Sequence, residues 1–174
     1  QLVNNSSARS NKQLFSQRAE ALIHICAGVA GAHKVDIVHR NLTPDCCLYD
    51  PHTKQWKIAD FGLAYVTTRD PAEAQWATRS KMTMGTVAYM APEQRRDAGR
   101  VRHSADVYAL GRIAYELFTE GLPDGHYPPA SQLEPRLSAQ FDQVIERCLN
   151  PEPDARYPSA QALYDALIDA LNSP

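Results

Sequence analysis

Ile37-Val38-His39-Arg40-Asn41-Leu42-Thr43-Pro44-Asp45-Cys46-Cys47-Leu48 is the stretch from which the rest of the chain can be read. Ile37-Val38 predicts a short strand, His39-Arg40 open a loop, and Leu48-Tyr49 predict the strand that leaves it. Asp50-Pro51-His52-Thr53 then turns the chain back into a strand ending at Ile58. Four further stretches follow in order. Trp56-Lys57-Ile58-Ala59 leads into Asp60-Phe61-Gly62, and Met84-Gly85-Thr86-Val87-Ala88-Tyr89-Met90-Ala91-Pro92-Glu93-Gln94 comes next. Ser104-Ala105-Asp106-Val107-Tyr108-Ala109-Leu110-Gly111 and Asn150-Pro151-Glu152-Pro153-Asp154-Ala155-Arg156-Tyr157-Pro158-Ser159 complete the series.

In this order the stretches resemble the large C-terminal lobe of a protein kinase, of the bacterial serine/threonine type, over about residues 14–172. The kinase catalytic loop is H-R-D-L-x-x-x-N, and D-F-G and A-P-E follow it. His39, Arg40 and Leu42 match, as do Asp60-Phe61-Gly62 and Ala91-Pro92-Glu93. Three chemical positions depart. Asn41 stands at the loop aspartate, Cys46 at the metal-binding asparagine, and Thr43 where kinases acting on serine and threonine usually carry lysine.

Each departure has a chemical consequence. An asparagine amide does not titrate near neutral pH, so Asn41 cannot be a general base, a role worth roughly 10²–10⁴-fold in rate. Cysteine is a soft ligand and magnesium prefers hard oxygen donors. Thr43 brings no positive charge to a transferring phosphoryl group. The expectation is therefore a pseudokinase: no enzyme, but a module binding or regulating a partner protein. The alternative is weak or atypical serine/threonine kinase activity in a longer parent that supplies an N-lobe.

The resemblance also implies roles for single residues. His39 packs under Phe61 in the D-F-G turn with Gly62, and Asp106 ties the central helix to the loop backbone. Glu93 and Arg156 form a buried ion pair, and removing one partner would cost about 3–5 kcal/mol. Arg40 is a regulatory candidate because it can meet a phosphorylated activation-segment residue, and Thr83 resembles the site so modified. Asp60 would hold magnesium only if a nucleotide binds. No cofactor is expected, ATP and Mg²⁺ being possible only with an N-lobe.

The chain has 174 residues, 44% of them hydrophobic and 22% charged, as in a globular domain with a core. A net charge of −2 gives no electrostatic footprint for nucleic acid or an anionic membrane surface. No apolar run is long enough for a membrane span, and four clustered cysteines do not make a disulfide framework. A cytoplasmic setting is expected, either as a free protein or as the cytoplasmic part of a longer one. The first residue is Gln, and no G-x-G-x-x-G or V-A-I-K pattern occurs, so a piece of something longer, with the N-lobe absent, is expected.

The predicted fold is mainly α (α+β), helices with a few short strands. Residues 1–13 are predicted as a mobile lead-in and 14–174 as the kinase-like C-lobe. Within it lie the catalytic-loop remnant 37–48, the activation segment 60–93, a central helix about 104–120, and C-terminal helices about 137–150 and 159–172. Ser16, Ser104 and Ser159 are predicted N-caps. Leu14, Leu22, Ile25 and Val29 share one helical face, while His24 and His33 are given ordinary packing roles. Gly121 to Pro135 is too rich in proline and glycine for a helix of useful length, so the extra helix that kinases usually carry there is expected to be lost or reduced to a turn. A partner protein or the missing N-lobe is expected to cover the exposed nucleotide-side face.

Overall fold

Helix α1, Leu2–His33, carries its apolar residues on a stripe that turns into the core: Leu22, Ile25, Cys26 and Val29 are buried. The computed structural model describes residues 2–61, 65–66, 87–96 and 101–173. Residues 2–13, predicted as a lead-in, are the first turns of α1. Ser16 is accordingly no cap; it lies within the helix and its hydroxyl donates to the Lys12 carbonyl at 3.1 Å. Leu14 stays exposed, off the buried face.

Two small antiparallel sheets follow. Strand β1, Ile37–Val38, pairs with β4, Tyr65–Val66, and β2, Cys47–Asp50, pairs with β3, Gln55–Ile58, in the register Cys47↔Ile58 to Asp50↔Gln55. Asp50 builds the hairpin turn. Its carboxylate accepts from the His52 amide at 2.9 Å, the Thr53 hydroxyl at 2.9 Å and the Lys57 ammonium at 2.6 Å. Lys57 and these donors hold the carboxyl well below the usual range. Gly28 lets α1 lie flat on β3, since a Cβ there would sit 3.1 Å from Ile58 Cγ1.

The remaining helices are α2, Pro92–Arg96; α3, His103–Thr119; α4, Ala130–Leu133; α5, Ala139–Cys148; and α6, Ala160–Asn172. Helix α3 is the central rod. Val107, Leu110, Ile113, Ala114 and Phe118 are buried against Leu22 of α1, Phe141 and Ile145 of α5, and Leu163 and Leu167 of α6. Gly111 marks where α3 meets α5, for a Cβ there would lie 2.4 Å from Cys148 Cβ. Ser159 caps α6, accepting from the Ala162 amide at 3.2 Å. Ser104 does not cap α3, which begins one residue earlier with Arg102 at the cap position.

Gly121–Pro135 holds only the single turn α4. It is strapped down by side chains instead of by a helix of its own. Arg112 reaches Asp124 at 2.5 Å, the Tyr115 hydroxyl donates to the Pro128 carbonyl at 2.8 Å, and Asp142 accepts from the Ser131 amide at 3.0 Å. A mainly helical lobe with short strands at one edge is the result. Among the described residues no helix is long and apolar enough to cross a membrane.

Candidate functional site

The loop after β1 is held from two sides. Asp106, in the first turn of α3, accepts the His39 amide on Oδ2 at 2.8 Å and the Arg40 amide on Oδ1 at 2.9 Å. Gln94, buried in α2, donates from Nε2 to the Arg40 carbonyl at 2.8 Å and accepts the Ala91 amide on Oε1 at 3.1 Å. Arg40 takes φ +67°, a left-handed conformation that a non-glycine residue adopts only where its surroundings impose it. Three hydrogen bonds to its backbone neighbourhood supply that constraint.

His39 is fully buried and links the loop to the next motif. Its Nδ1 accepts the Asn41 amide at 3.3 Å, so Nε2 carries the hydrogen and donates to the Ala59 carbonyl at 3.0 Å. The ring lies 4.6 Å from the Phe61 ring in a tilted contact. Asp60, between them, is exposed and also left-handed at φ +61°.

Behind the loop, His33 does more than pack. Its Nε2 meets Asp106 Oδ2 at 2.9 Å and its Nδ1 accepts the Ala160 amide at 3.2 Å. Acceptance at Nδ1 fixes the tautomer that donates to the carboxylate. His103 stacks on His33 with ring centroids 4.2 Å apart. Burial, and then the neighbouring His33, push the His103 pKa down. His24 accepts the Trp56 amide at 3.4 Å on the hairpin side of α1.

The departing residues lie on the loop itself. Asn41 is partly buried, while Thr43 and Cys46 are buried. The Cys46 thiol donates to the Asn41 carbonyl at 3.3 Å and lies 3.6 Å from the Thr43 hydroxyl. Cys47 donates to the Thr43 carbonyl at 3.5 Å, and burial pushes its pKa up to about 12. All four cysteines are free thiols. Asp60 offers a hard carboxylate suited to a nucleotide-bound divalent cation. Cys46, a thiol turned into the loop, does not fit a hard second ion.

Arg156 is buried and bonds Glu93 with both arms, at 2.7 and 2.8 Å. Its Nε donates to the Asn150 carbonyl at 2.7 Å and Nη1 to the Ser104 carbonyl at 2.9 Å, so one guanidinium joins its own loop to α2 and α3. Glu93 is partly open to solvent, so the pair is half-buried. Gly62 and Thr83 lie outside the described residues. Gln94 and His33 are the positions the sequence reading missed; a polar residue after A-P-E and a histidine ending a long helix were their only signals.

Leu48 and Tyr49, consecutive on β2 and so on its opposite sides, are exposed, as is Phe61, and the Tyr49 ring lies 5.5 Å from the Trp56 ring. An open cleft of about 500 Å³ runs between α1 and β3, lined by His24, Gly28, Trp56, Ile58 and Phe61.

Among known proteins the chain is 35% identical over 167 residues to serine/threonine-protein kinase Pkn1 of Myxococcus xanthus, covering 86% of this chain and 23% of that protein. It is 31% identical to tyrosine-protein kinase MasK of the same species, over 87% of this chain and 26% of that one. Serine/threonine-protein kinase PknL of Mycobacterium tuberculosis is likewise 31% identical, over 86% and 40%. The chain thus spans about a quarter to two fifths of the length of these relatives. All three bear the names of enzymes. They overturn the expectation of a non-enzyme, which rested on Asn41, Thr43 and Cys46. The family model described as the protein kinase domain matches residues 3–168. This chain belongs to the protein kinase domain family.

Proposed function

We propose that this chain is the large lobe of a serine/threonine-type protein kinase that transfers phosphate slowly and needs a small lobe, or a partner protein, on its nucleotide-side face. The observation that carries the reading is the loop held by Asp106 and Gln94. Two residues spend buried polar groups on fixing the backbone of His39 and Arg40. Positioning is what phosphoryl transfer chiefly asks of a protein.

Asn41 keeps the loop without a titratable base. The acceptor hydroxyl then loses its proton to solvent or to the phosphate itself, at a cost of roughly 10²–10⁴-fold in rate. Asp60 is the carboxylate that would hold a cation against nucleotide phosphates. The acceptor class follows the first relative's name; Thr43 in place of lysine leaves room for another hydroxyl. The open cleft lined by Trp56, Ile58 and the exposed Phe61, with Tyr49 against Trp56, supports a covering lobe or partner protein, because exposed apolar patches mark interfaces. Free thiols suit a reducing, cytoplasmic setting.

The test is transfer of radiolabelled phosphate from ATP to a serine- and threonine-containing acceptor by the full-length protein. Slow transfer is expected, raised on the order of 10²-fold or more by Asn41→Asp with Cys46→Asn, and lost in Asp60→Asn. No transfer by the wild type or the double variant overturns the proposal.

A further inference from the structure

We infer that Cys46 excludes a second divalent cation, so that the nucleotide site takes one cation, through Asp60. The inference rests on the phosphotransferase reading above and deepens it. Cys46 is 3% exposed, and its S–H is directed to the Asn41 carbonyl at 3.3 Å. The Thr43 hydroxyl lies 3.6 Å from the same sulfur, and the neighbouring Cys47 thiol closes on the Thr43 carbonyl at 3.5 Å. The Cys46 and Cys47 thiols are thus both turned into the loop, onto the Asn41 and Thr43 carbonyls.

Turning Cys46 toward a cation would require loss of its proton and of both contacts. The resulting thiolate is a soft donor, and Mg²⁺ and Mn²⁺ at phosphates favour hard oxygens. The Asn41 carbonyl is occupied by the same thiol. Asp60 is under no such restriction. It is exposed, and the residue before it is fixed twice, its amide on the Cys46 carbonyl at 2.8 Å and its carbonyl on His39 Nε2 at 3.0 Å. The Cys46 carbonyl thus helps hold Ala59, next to Asp60, while the Cys46 side chain stays turned into the loop.

The experiment counts Mn²⁺ bound to the full-length protein with saturating ADP, by electron paramagnetic resonance of the free ion. One nucleotide-dependent Mn²⁺ per protein is expected in the wild type, none in Asp60→Asn, and two in Cys46→Asn. Two in the wild type overturn the inference and leave the phosphotransferase reading standing. No nucleotide-dependent Mn²⁺ overturns both, and one ion persisting in Asp60→Asn overturns the role given to Asp60. The wild-type count decides even if Cys46→Asn fails to fold.

Discussion

His33 and Asp106 lie 73 positions apart in the chain and meet at 2.9 Å in the core. The same carboxylate accepts two amides of the catalytic loop, so one buried anion joins α1, α3 and the loop. Asp106→Asn puts an amide NH₂ where three donors converge. It is expected to cost about 1.5–3 kcal/mol per charge-assisted bond lost, read as a fall of several degrees in the melting temperature. An unchanged melting temperature would contradict the assignment.

Arg156 and Glu93 make an unequal pair. Arg156→Met leaves several carbonyls without their donor and Glu93 without its cation, and is expected to cost about 3–5 kcal/mol. Glu93 is partly solvated and Arg156 keeps its carbonyl partners, so Glu93→Gln should cost less, about 1–2 kcal/mol. Urea unfolding of both variants checks the order, and equal losses would refute it.

Two helical glycines should respond in opposite directions to alanine. Gly111→Ala drives a methyl into Cys148 Cβ at 2.4 Å, so overpacking of about 1–3 kcal/mol is expected. At Gly31 a Cβ would meet open space beyond the helix's own backbone, and Gly31→Ala should stabilise by about 0.5–1 kcal/mol. Differential scanning calorimetry on the two variants tests both signs.

His103 makes stability depend on pH. Its pKa is lowered in the folded state by burial and by His33, with Asp36 and Asp106 opposing. Between the unfolded and folded values the unfolded chain binds more protons. The His103 contribution is therefore present above about pH 6.5 and is lost as pH falls through the folded pKa. Denaturation midpoints from pH 7.5 to 5 should drop less in His103→Gln than in the wild type.

The order of motifs, the helical lobe and the three altered loop positions were legible in the sequence, because they depend on local pattern and fixed spacing. Helix α3 and the hairpin turn at Asp50 follow from apolar period and turn chemistry within a few residues. Ser16 and Ser104 misled, since a serine is an N-cap only where tertiary packing starts the helix; α1 is continued upstream by the fold, and α3 begins one residue before Ser104. The deduction from Asn41, Thr43 and Cys46 to a non-enzyme failed for another reason: residue chemistry bounds a rate, whereas the relatives bear the names of enzymes.

The sequence by itself determined that this chain builds a kinase-type large lobe and which loop residues lack the usual chemistry. Only the tertiary structure decided what those residues do instead. Cys46 turns inward to Asn41, Gln94 holds Arg40 from 54 positions away, and His33 seats Asp106 from 73. Such bonds join groups distant in the chain, and no periodicity records them; they exist because a buried polar group must find its partner wherever the packed core brings one.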